Sequence, residues 1–301
     1  MKRILTISSV LLAAYLHASA GINEEIAAYT ADIDARVGVA AIIEGRDTVC
    51  VDGRGMYPMM SVMKFPQALA VASWLDEHSL CTSDTIDIPA AALHEDTYSP
   101  MLKLYGRRDL RLTYGELLRW SLAQSDNNAC DILFDAVGGV DSVMRHLDSL
   151  ALSADLSIEA TEADMYADRQ KSYLNISTPL ALAALMRRYD TDLRRRSQNF
   201  AELGPIIEQC ATGTDRLAAP LSRSGAVIGH KTGTGFVLPS GRLMAVNDCG
   251  YVHIPGRRSY TVAVMVADSR LDMAATSAII ADISAMVYRE VIAGQRETPA
   301  M

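Results

Sequence analysis

The sequence lacks any internal apolar run long enough to cross a membrane, and it lacks an excess of positive charge. Its 301 residues include 28 Lys+Arg and 36 Asp+Glu, for a formal net charge of −8. A spanning helix needs about 18 unbroken apolar residues, and proteins that bind nucleic acid or anionic membrane surfaces through charge are basic. We therefore expect neither kind of partner. Because 50% of the residues are hydrophobic, we expect one or two globular domains with a large core.

Spacings typical of metal sites are also missing. The cysteines form no C-x-x-C pair and match no zinc ribbon, and the histidines form no H-x-H or H-x-x-x-H pair. We therefore set aside metal catalysis, and nothing in these spacings indicates another cofactor. Five is an odd number of cysteines, so at least one is unpaired or bonded to another chain, and we expect most of them to be small buried hydrophobic residues. The cysteines are Cys50, Cys81, Cys130, Cys210 and Cys249.

The N-terminus has the pattern of an export signal. Lys2 and Arg3 precede an apolar stretch over residues 4–16, and an Ala-Ser-Ala segment that ends at Ala20 supplies the small residues that a signal peptidase requires. The alternative is a buried N-terminal helix. We predict that residues 1–20 are removed as a signal peptide and that the mature protein is periplasmic.

Apolar periodicity predicts strands near both ends of the mature chain and helices between them. This order indicates one sheet built from both ends and an all-helical lobe inserted between them, with a cleft where the two meet. We place an α/β domain at residues 21–55 and 207–301, and an all-α domain with most of the catalytic residues at 56–206. The expected strands are Val37–Ile43, Arg46–Val51, Ala226–His230, Leu243–His253 and Tyr260–Val266. The expected helices are 22–34, Phe65–Leu75, Tyr114–Leu122, Asn127–Val137, Val140–Leu147, Pro179–Tyr189 and 273–292.

The first motif that carries chemistry is S-x-x-K at residues 61–64, at the start of an apolar helix. A spacing of three residues places Ser61 and Lys64 on one face of that helix, one turn apart. A serine hydroxyl becomes a nucleophile when a base lies within hydrogen-bond reach, and a buried lysine with a lowered pKa can be that base. Most such pairs lie on solvated helix surfaces, but the flanking residues here, 59–60 and 65–66, are apolar.

Two further motifs follow. Residues 125–127 are Ser-Asp-Asn and precede a predicted helix, where capping explains one of the three residues but not their order. Residues 231–233 are Lys-Thr-Gly and follow an apolar run. The glycine there lets a ligand approach an edge strand closely, and the lysine offers a charge to an anionic substrate. The alternative is a strand that simply ends in a lysine and a glycine.

In this order and at these separations, the three motifs are the signatures of the serine penicillin-recognising enzymes. The chain resembles a class A serine β-lactamase over essentially its whole mature length. The resemblance implies an α/β fold in which an antiparallel sheet is flanked by helices and carries an inserted all-α lobe. It also implies hydrolysis of the β-lactam amide of penicillins and cephalosporins through a serine acyl-enzyme, which confers antibiotic resistance. The default for the family is a monomer whose partners are small β-lactam substrates.

The resemblance implies roles for individual residues. Ser61 would be the acylated nucleophile, and Lys64 and Ser125 would move protons to and from it and the lactam nitrogen. Asn127 would bind Lys64 and the side-chain amide of the substrate. The oxyanion hole would consist of the backbone N–H groups of Ser61 and Thr234.

The resemblance also implies a set of substrate-binding residues, some of which hold the substrate carboxylate and one of which walls the entrance. In some subfamilies an arginine supports carboxylate binding. Arg216 and Arg242 are competing candidates for that role. The implied substrate-binding residues are Tyr98, Asn127, Tyr166, Arg216, Lys231, Thr232, Gly233 and Thr234.

A long polar stretch between Leu150 and Pro179 is expected to be a functional loop. Hydrolysis of an acyl-enzyme needs a base that activates water, and in class A this base is a glutamate of the loop. Glu162 has the family spacing to the following Thr-Pro pair, and Glu159 is its competitor. Whether Glu162 also serves as the base in acylation is an open dispute for this class.

The loop departs from the commonest class A pattern in two places. Tyr166 stands where an asparagine usually helps to hold the water, and our hypothesis is that the tyrosine replaces it as a water ligand. Ala160 and Asn175 stand where an arginine–aspartate pair usually ties the loop. Together with the long stretch 235–247 after the third motif, these departures resemble a branch of class A with a rearranged loop, whose members are often extended-spectrum cephalosporinases.

Other functions are compatible with the same motifs. A D-alanyl-D-alanine carboxypeptidase would not need Glu162 on its loop. A penicillin-binding sensor would be acylated once without turnover, and it normally comes with a membrane segment and a signalling domain. A protein of this fold without activity is a third alternative, which the unusual Tyr166 keeps open.

Overall fold

A computed structural model describes residues 21–44 and 47–293, except for the side chain of Asp47. The predicted signal peptide at residues 1–20 lies outside these ranges, as does Arg46, the first residue of the second predicted strand. Within the described ranges, no helix has the length and apolar character needed to cross a membrane.

The described strands form three sheets. The main sheet is antiparallel with the order β2-β1-β10-β9-β8, so it combines two strands from the start of the chain with three from its end, as the periodicity predicts. The small sheets have the orders β3-β7-β6 and β4-β5. The strands are β1 (Arg36–Ile43), β2 (Asp47–Val51), β3 (Tyr57–Pro58), β4 (Thr85–Ile88), β5 (Leu110–Thr113), β6 (Leu156–Ser157), β7 (Ile176–Ser177), β8 (Val227–Thr234), β9 (Leu243–His253) and β10 (Tyr260–Ser269).

Most of the described helices lie in the chain between β2 and β8. A 3-10 turn, Met60–Met63, leads directly into the first of these central helices. The helices are α1 (21–30), α2 (Lys64–Glu77), α3 (Pro100–Tyr105), α4 (Tyr114–Ala123), α5 (Asn127–Ala136), α6 (Val140–Ser149), α7 (Glu162–Ala167), α8 (Pro179–Thr191), α9 (Gln198–Ala201), α10 (Leu203–Ile207) and α11 (Met273–Ala293).

Two apolar cores lie on opposite faces of the main sheet. On β10, Ala263 and Met265 face the central helices, whereas Val262 and Val264 face α1 and α11. This alternation follows from the two-residue period of a strand. Each fully buried valine or methionine stabilises the fold by about 1.5–3 kcal/mol. The sheet therefore holds both layers together, and the cleft lies at its β8 edge. The domain boundaries at residues 55/56 and 206/207 stay predictions.

The long elements agree with the apolar periodicity, and differences occur at their ends. β9 has the predicted bounds, Leu243–His253, whereas β8 continues past His230 to Thr234. The third motif is therefore part of a strand, and its backbone is held in register against β9 up to the pair of Thr234 with Val246. The helix expected over residues 22–34 ends at residue 30.

The short strands inside the region predicted to be helical were missed. β3, β6 and β7 have two residues each, which is too few for a two-residue alternation to show in the sequence. These strands connect the loop to the start of the serine turn. The Met59 N–H donates to the Asn175 carbonyl at 2.8 Å beside the β3–β7 pair.

Asn175 ties the loop in place of the missing arginine–aspartate pair. Its side chain is fully buried. Oδ1 accepts from the backbone N–H groups of Glu159 (2.8 Å) and Ala160 (3.0 Å), and Nδ2 donates to the Ala160 carbonyl (2.8 Å). A single neutral amide thus satisfies buried backbone groups that would otherwise lack partners.

The cysteines, all within the described ranges, are free thiols. Cys130 and Cys249 are buried, as expected for small hydrophobic residues. Cys81 is exposed and Cys50 and Cys210 are partly exposed, so the expectation that most would be buried is wrong. These three lie on an edge strand or just after the end of a helix, where the chain meets solvent.

Candidate active site

Ser61 lies in a strained turn at the floor of a cleft. The preceding residue, Met60, has a φ of +50°, a left-handed conformation that is uncommon outside glycine and that recurs at functional sites. The turn leads into α2, so Ser61 is at the N-terminal end of that helix. Backbone N–H groups and the helix dipole there favour negative charge that develops during a reaction.

Lys64 lies one turn further along and is fully buried. Its Nζ donates to Ser61 Oγ (3.1 Å), to the Ser125 carbonyl (2.8 Å) and to Asn127 Oδ1 (2.7 Å). It also lies 2.9 Å from Glu162 Oε1. An ammonium group has three protons, so these acceptors use all of them and hold Lys64 in one position. The first two motifs and the loop therefore meet at this nitrogen.

The protonation of Lys64 differs from the expectation. Burial is the largest single effect and lowers the pKa of Lys64, but the charge and hydrogen bond of Glu162, with the charges of Cys130 and Asp126, together outweigh it, and the pKa is raised. Lys64 is therefore an ammonium ion without an electron pair that could accept the proton of Ser61. The expected lowered pKa is wrong because a carboxylate from another part of the chain lies beside the amine.

Glu162 reaches the site from the loop. It is the first residue of α7, whose start is fixed by a capping box that begins at Thr161. Its Oε1 accepts a hydrogen bond from Ser61 Oγ at 3.2 Å. The competing carboxylate, Glu159, instead accepts from Ser157 Oγ at 2.9 Å. Of the two candidates, the structure brings Glu162 to the serine.

Asp131 of α5 positions Glu162, and sequence reasoning missed it. Its two carboxylate oxygens accept the backbone N–H groups of Glu162 and Ala163, each at 2.8 Å. These are among the N–H groups that a helix start leaves unpaired. Burial, followed by the charge of Glu162, raises the pKa of Asp131 to about 7. The pattern that could have revealed this residue is its i,i+4 spacing from Asn127, which places both on one helix face.

The second motif divides between structure and chemistry. Asp126 is the N-cap of α5, and its buried carboxylate accepts the backbone N–H groups of Ala129 (2.9 Å) and Met101 (2.7 Å). Ser125 has a φ of +58°, and in this conformation its carbonyl accepts from Lys64 Nζ and its hydroxyl accepts from Lys231 Nζ. Capping thus accounts for the middle residue, while Ser125 and Asn127 face the cleft.

Lys231 is the second buried lysine of the site. From β8 its Nζ donates to Ser125 Oγ (3.0 Å) and to the Thr232 carbonyl (2.8 Å). Burial lowers the pKa of Lys231; Cys210 opposes this effect and Lys64 adds to it, and the result is about 8. Lys231 is therefore mostly charged at neutral pH and loses its charge just above it.

Arg216 supports the wall of the cleft that β8 forms. Its side chain is buried, and its guanidinium donates to Thr234 Oγ1 (2.7 Å) and to the Gly233 carbonyl (3.0 Å). Arg242 instead pairs with Asp34 at 2.7 Å. Of the two competing arginines, the structure brings Arg216 to the third motif. Because it lies behind the strand, it acts on the cleft through Thr234.

Gly233 is required for a contact within the chain. A Cβ at this position would lie 2.4 Å from the Met59 carbonyl oxygen and 3.2 Å from Met60 Cβ. The turn before Ser61 therefore occupies the space that we expected a ligand to use, and that expectation is wrong. The close approach packs β8 against the serine turn and brings Thr234 to the same cleft as Ser61.

These groups open into one cleft of about 410 Å³, a size typical of small-molecule sites. Tyr98 and Tyr166 both line it and are 53% and 61% exposed. The Arg169 guanidinium lies 4.7 Å from the centre of the Phe236 ring and connects the loop to the segment after β8. Both residues line the cleft, and sequence reasoning missed them because no spacing marks such a pair.

The arrangement combines a serine that follows a strained residue, a carboxylate within hydrogen-bond reach of it, and two buried lysines. Nucleophile, base and cationic groups in this geometry are the components of acyl transfer. Among the described residues, no group of three or more His, Cys, Asp or Glu side chains is placed to hold a metal ion. Fold and site together define an enzyme of the serine acyl-transfer class.

The chain belongs to the β-lactamase enzyme family, whose sequence model matches residues 20–291. A β-lactamase of Phocaeicola vulgatus is 40% identical over 253 residues, which cover 84% of this chain and 79% of that protein. The crystal structure of a class A β-lactamase from Bacteroides cellulosilyticus has a TM-score of 0.87 at 33% identity and covers 92% of this chain and 99% of its own. The TLA-3 extended-spectrum β-lactamase has a TM-score of 0.87 at 30% identity, with coverages of 91% and 99%. The expected class A fold is confirmed.

Proposed function

We propose that this protein hydrolyses the β-lactam amide of penicillins and cephalosporins through an acyl-enzyme at Ser61, and that it thereby confers antibiotic resistance. The observation that carries the proposal is the contact between Glu162 and the nucleophile, with Oε1 3.2 Å from Ser61 Oγ and 2.9 Å from Lys64 Nζ. A carboxypeptidase or a sensor needs the serine and the lysine for acylation but does not need a loop carboxylate beside them. Glu162 therefore favours hydrolysis with turnover.

In acylation, Ser61 Oγ attacks the lactam carbonyl carbon and loses its proton. Glu162 is in direct contact with this hydroxyl and accepts the proton, while the Lys64 ammonium holds both groups in place. Ser125, whose hydroxyl contacts Lys231, delivers a proton to the lactam nitrogen as the C–N bond breaks. The proton that Glu162 took from Ser61 returns to Ser125 by way of the Lys64 ammonium, which contacts both residues, so Glu162 is again a carboxylate before deacylation. One positioned base contributes about 10²–10⁴-fold, so orientation and electrostatic stabilisation supply the rest.

The wall formed by β8 binds the negative charges of the substrate. The backbone N–H groups of Ser61 and Thr234 form the oxyanion hole, where one donor is worth about 10²–10³-fold in rate. Lys231, Thr232 and Thr234 bind the substrate carboxylate. Because Arg216 donates to Thr234 Oγ1, the proton of that hydroxyl is left to donate to the substrate.

In deacylation, water attacks the ester carbonyl of acylated Ser61. Glu162 accepts a proton from the water and returns it to Ser61 Oγ as the ester bond breaks. Tyr166 follows Glu162 by one turn of α7, which places both side chains on one face of the helix. This placement supports our hypothesis that Tyr166 orients the water, and the hydrogen bonds of Asp131 to the start of α7 keep that helix in position.

Cephalosporins are included among the substrates because of two observations. A solved relative is named an extended-spectrum β-lactamase. The departures of the loop from the common class A pattern also resemble the branch whose members are often extended-spectrum cephalosporinases. We further propose that the protein acts in the periplasm as a monomer. The pattern of residues 1–20 supports export.

The test is turnover of a chromogenic cephalosporin by residues 21–301. We expect sustained turnover by the wild type and none by Ser61→Ala. Glu162→Gln should be slower by at least about 100-fold, since an amide can accept neither the proton of Ser61 nor that of water. Glu159→Gln is the matched control, because its carboxylate contacts Ser157 and not the nucleophile, and it should keep the wild-type rate.

Two results would contradict the proposal. A single stoichiometric burst by the wild type, with an acyl-protein that persists by intact mass, would identify a sensor or another penicillin-binding protein. Faster release of D-alanine from a D-alanyl-D-alanine peptide than hydrolysis of the cephalosporin would identify a carboxypeptidase.

A further inference from the structure

Behind the third motif, three side chains from different elements form a cluster that the proposed reaction does not use. Cys210 follows α10, His230 is on β8 and Asp248 is on β9. His230 and Asp248 are buried, with Nδ1 2.9 Å and 3.0 Å from the two carboxylate oxygens. Cys210 interacts with the imidazole, and each of the two groups shifts the pKa of the other; its Sγ also contacts the carbonyl and the hydroxyl of Thr212. Gly250, opposite His230, leaves room for the ring, since a Cβ there would lie 2.7 Å from His230 Cβ.

A thiol, an imidazole and a carboxylate in this order form an activated sulfur nucleophile. Burial lowers the pKa of His230, but Asp248 outweighs burial and raises it to about 10, so the imidazole is charged at neutral pH. Burial raises the pKa of Cys210, but the hydrogen bond and charge of His230, with the charge of Lys231, lower it to about 7. Arg216, another cation that interacts with Cys210, also stabilises the thiolate.

Cys210 is both reachable from solvent and connected to the cleft. It is partly exposed, in the segment between α10 and Arg216. Its Sγ lies 3.4 Å from Thr212 Oγ1, and that hydroxyl lies 2.5 Å from Thr232 Oγ1. Thr212 and Thr232 line the cleft. A group added to the sulfur therefore displaces Thr212 and, through it, the wall that binds the substrate carboxylate.

We propose that Cys210 is a modification site at which small disulfides, such as oxidised glutathione, form a mixed disulfide, and that this adduct weakens substrate binding at Thr232. The effect on substrate binding rests on the proposed function. The thiolate attacks one sulfur of the disulfide, a new S–S bond forms, the old one breaks, and the other half leaves as a thiolate. One disulfide replaces another, so no further oxidant is required. The periplasm, to which the pattern of residues 1–20 points, is an oxidising compartment in which disulfides persist.

The chemical test uses dithiodipyridine, a neutral aromatic disulfide, on the native protein, and peptide mass identifies the modified cysteine. Cys81, which is exposed, is the internal reference, and Cys210→Ser and Cys81→Ser remove one thiol each. We expect the rate at Cys210 to rise with a midpoint near pH 7, below the value of about 8.5 of an ordinary thiol. His230→Gln should move that midpoint upward, because the imidazolium is lost.

Two outcomes would overturn the site. One is modification of Cys81 while Cys210 stays unmodified. The other is a modification rate at Cys210 that rises with pH at the same midpoint as the rate at Cys81. If His230→Gln fails to fold, the comparison of the two cysteines in the wild type still decides.

The functional test measures cephalosporin turnover before and after modification. We expect kcat/KM to fall by at least about tenfold, which corresponds to about 1.4 kcal/mol, mainly through KM, and to return on reduction. Cys210→Ser should be active, and treatment with the disulfide should not change its turnover. Full activity of a protein quantitatively modified at Cys210 would overturn the link to the cleft. Absence of turnover before modification would count against the proposed function alone, since peptide mass still decides the site.

Discussion

The two buried lysines of the cleft have the same burial but opposite shifts in pKa. Lys64 lies 2.9 Å from the Glu162 carboxylate, and its pKa is raised. Lys231 donates to the hydroxyl of Ser125 and the carbonyl of Thr232, and its pKa is lowered to about 8. Burial disfavours charge at both positions, and an opposite charge within contact distance outweighs it at one of them.

This difference separates two tasks. Lys64 already has its counter-ion within the protein, so it suits a fixed role that holds Ser61 and Glu162 together. Among the described residues, Lys231 Nζ has no carboxylate within ion-pair distance. A substrate carboxylate bound there would stabilise the charge of Lys231 as Glu162 stabilises that of Lys64. We therefore propose that the same residue type serves the reaction at one position and substrate recognition at the other.

Breaking the ion pair on the Lys64 side should have the largest effect. Lys64→Met leaves the Glu162 carboxylate buried without its cation, so we expect the free energy of unfolding to fall by about 3–5 kcal/mol and turnover to be lost. Denaturant unfolding measures the first effect. The double variant Lys64→Met/Glu162→Gln removes the orphaned charge and should recover most of the stability. Equal stability of the single variant and the wild type would contradict the comparison.

Lys231→Met should instead leave the free energy of unfolding at neutral pH within about 1 kcal/mol of the wild type, because it orphans no buried anion. The pKa of Lys231 is about 8 in the folded protein and 10.5 as its ordinary value. The unfolded chain therefore binds more protons between these values. The unfavourable contribution of Lys231 is complete below about pH 8 and disappears as the pH rises to 10.5. A loss of stability as large as that of Lys64→Met would refute this contrast.

The same lysine should control substrate affinity. We expect KM of Lys231→Met to rise by about tenfold or more, since a hydrogen bond to a charged group contributes about 1.5–3 kcal/mol, with a smaller change in kcat. In the wild type, KM should rise as the pH passes about 8, where Lys231 loses its charge. Steady-state kinetics against pH measure both effects. A KM that is unchanged in the variant would exclude Lys231 from carboxylate binding.

Arg216 and Arg242 offer a matched pair of substitutions. Arg216→Ala removes the donor to Thr234, so kcat/KM should fall by about tenfold, the loss expected for about 1.4 kcal/mol. Arg242→Ala breaks an exposed pair with Asp34 that is worth about 0–1 kcal/mol, and it should leave kcat/KM unchanged. The reverse result would assign the supporting role to Arg242.

Tyr166→Phe should have the smallest effect. If the hydroxyl orients the water, deacylation should slow by about 2–10-fold, since one hydrogen bond is worth about 0.5–1.5 kcal/mol. Acylation should be unchanged, and rapid-mixing experiments separate the two steps. Tyr98→Phe, at the same cleft, is the control. Unchanged deacylation in Tyr166→Phe would show that the tyrosine does not replace the amide as a water ligand.

The parts of the site that local spacing determines could be predicted. Ser61 and Lys64 are three residues apart where the 3-10 turn passes into α2, and this spacing places both side chains on one face, with Nζ 3.1 Å from Oγ. The bounds of β9 follow from an apolar run that is long enough to show. The order of the three motifs identifies the fold because it reflects how distant segments meet at one cleft.

The rest depends on contacts between segments that no spacing reveals. The pKa of Lys64 could not be predicted because Glu162 approaches it from a loop far along the chain. Asp131 supports that loop from another helix, and Asn175 does so by satisfying buried backbone groups. Gly233 is required because a Cβ there would collide with the Met59 carbonyl, which belongs to a different segment. Each of these is a three-dimensional constraint on residue types that are common in any sequence.

The most direct test of the central claim, that Glu162 rather than Lys64 is the base beside Ser61, is an NMR titration of the lysine side chains. The sequence contains few lysines, which makes assignment by substitution practical: Lys2, Lys64, Lys103, Lys171 and Lys231. We predict that Lys231 titrates near pH 8 and that Lys64 stays charged beyond the ordinary value of about 10.4. Glu162→Gln should lower the pH at which Lys64 loses its charge. A Lys64 that titrates at or below Lys231, or that does not respond to Glu162→Gln, would contradict the account.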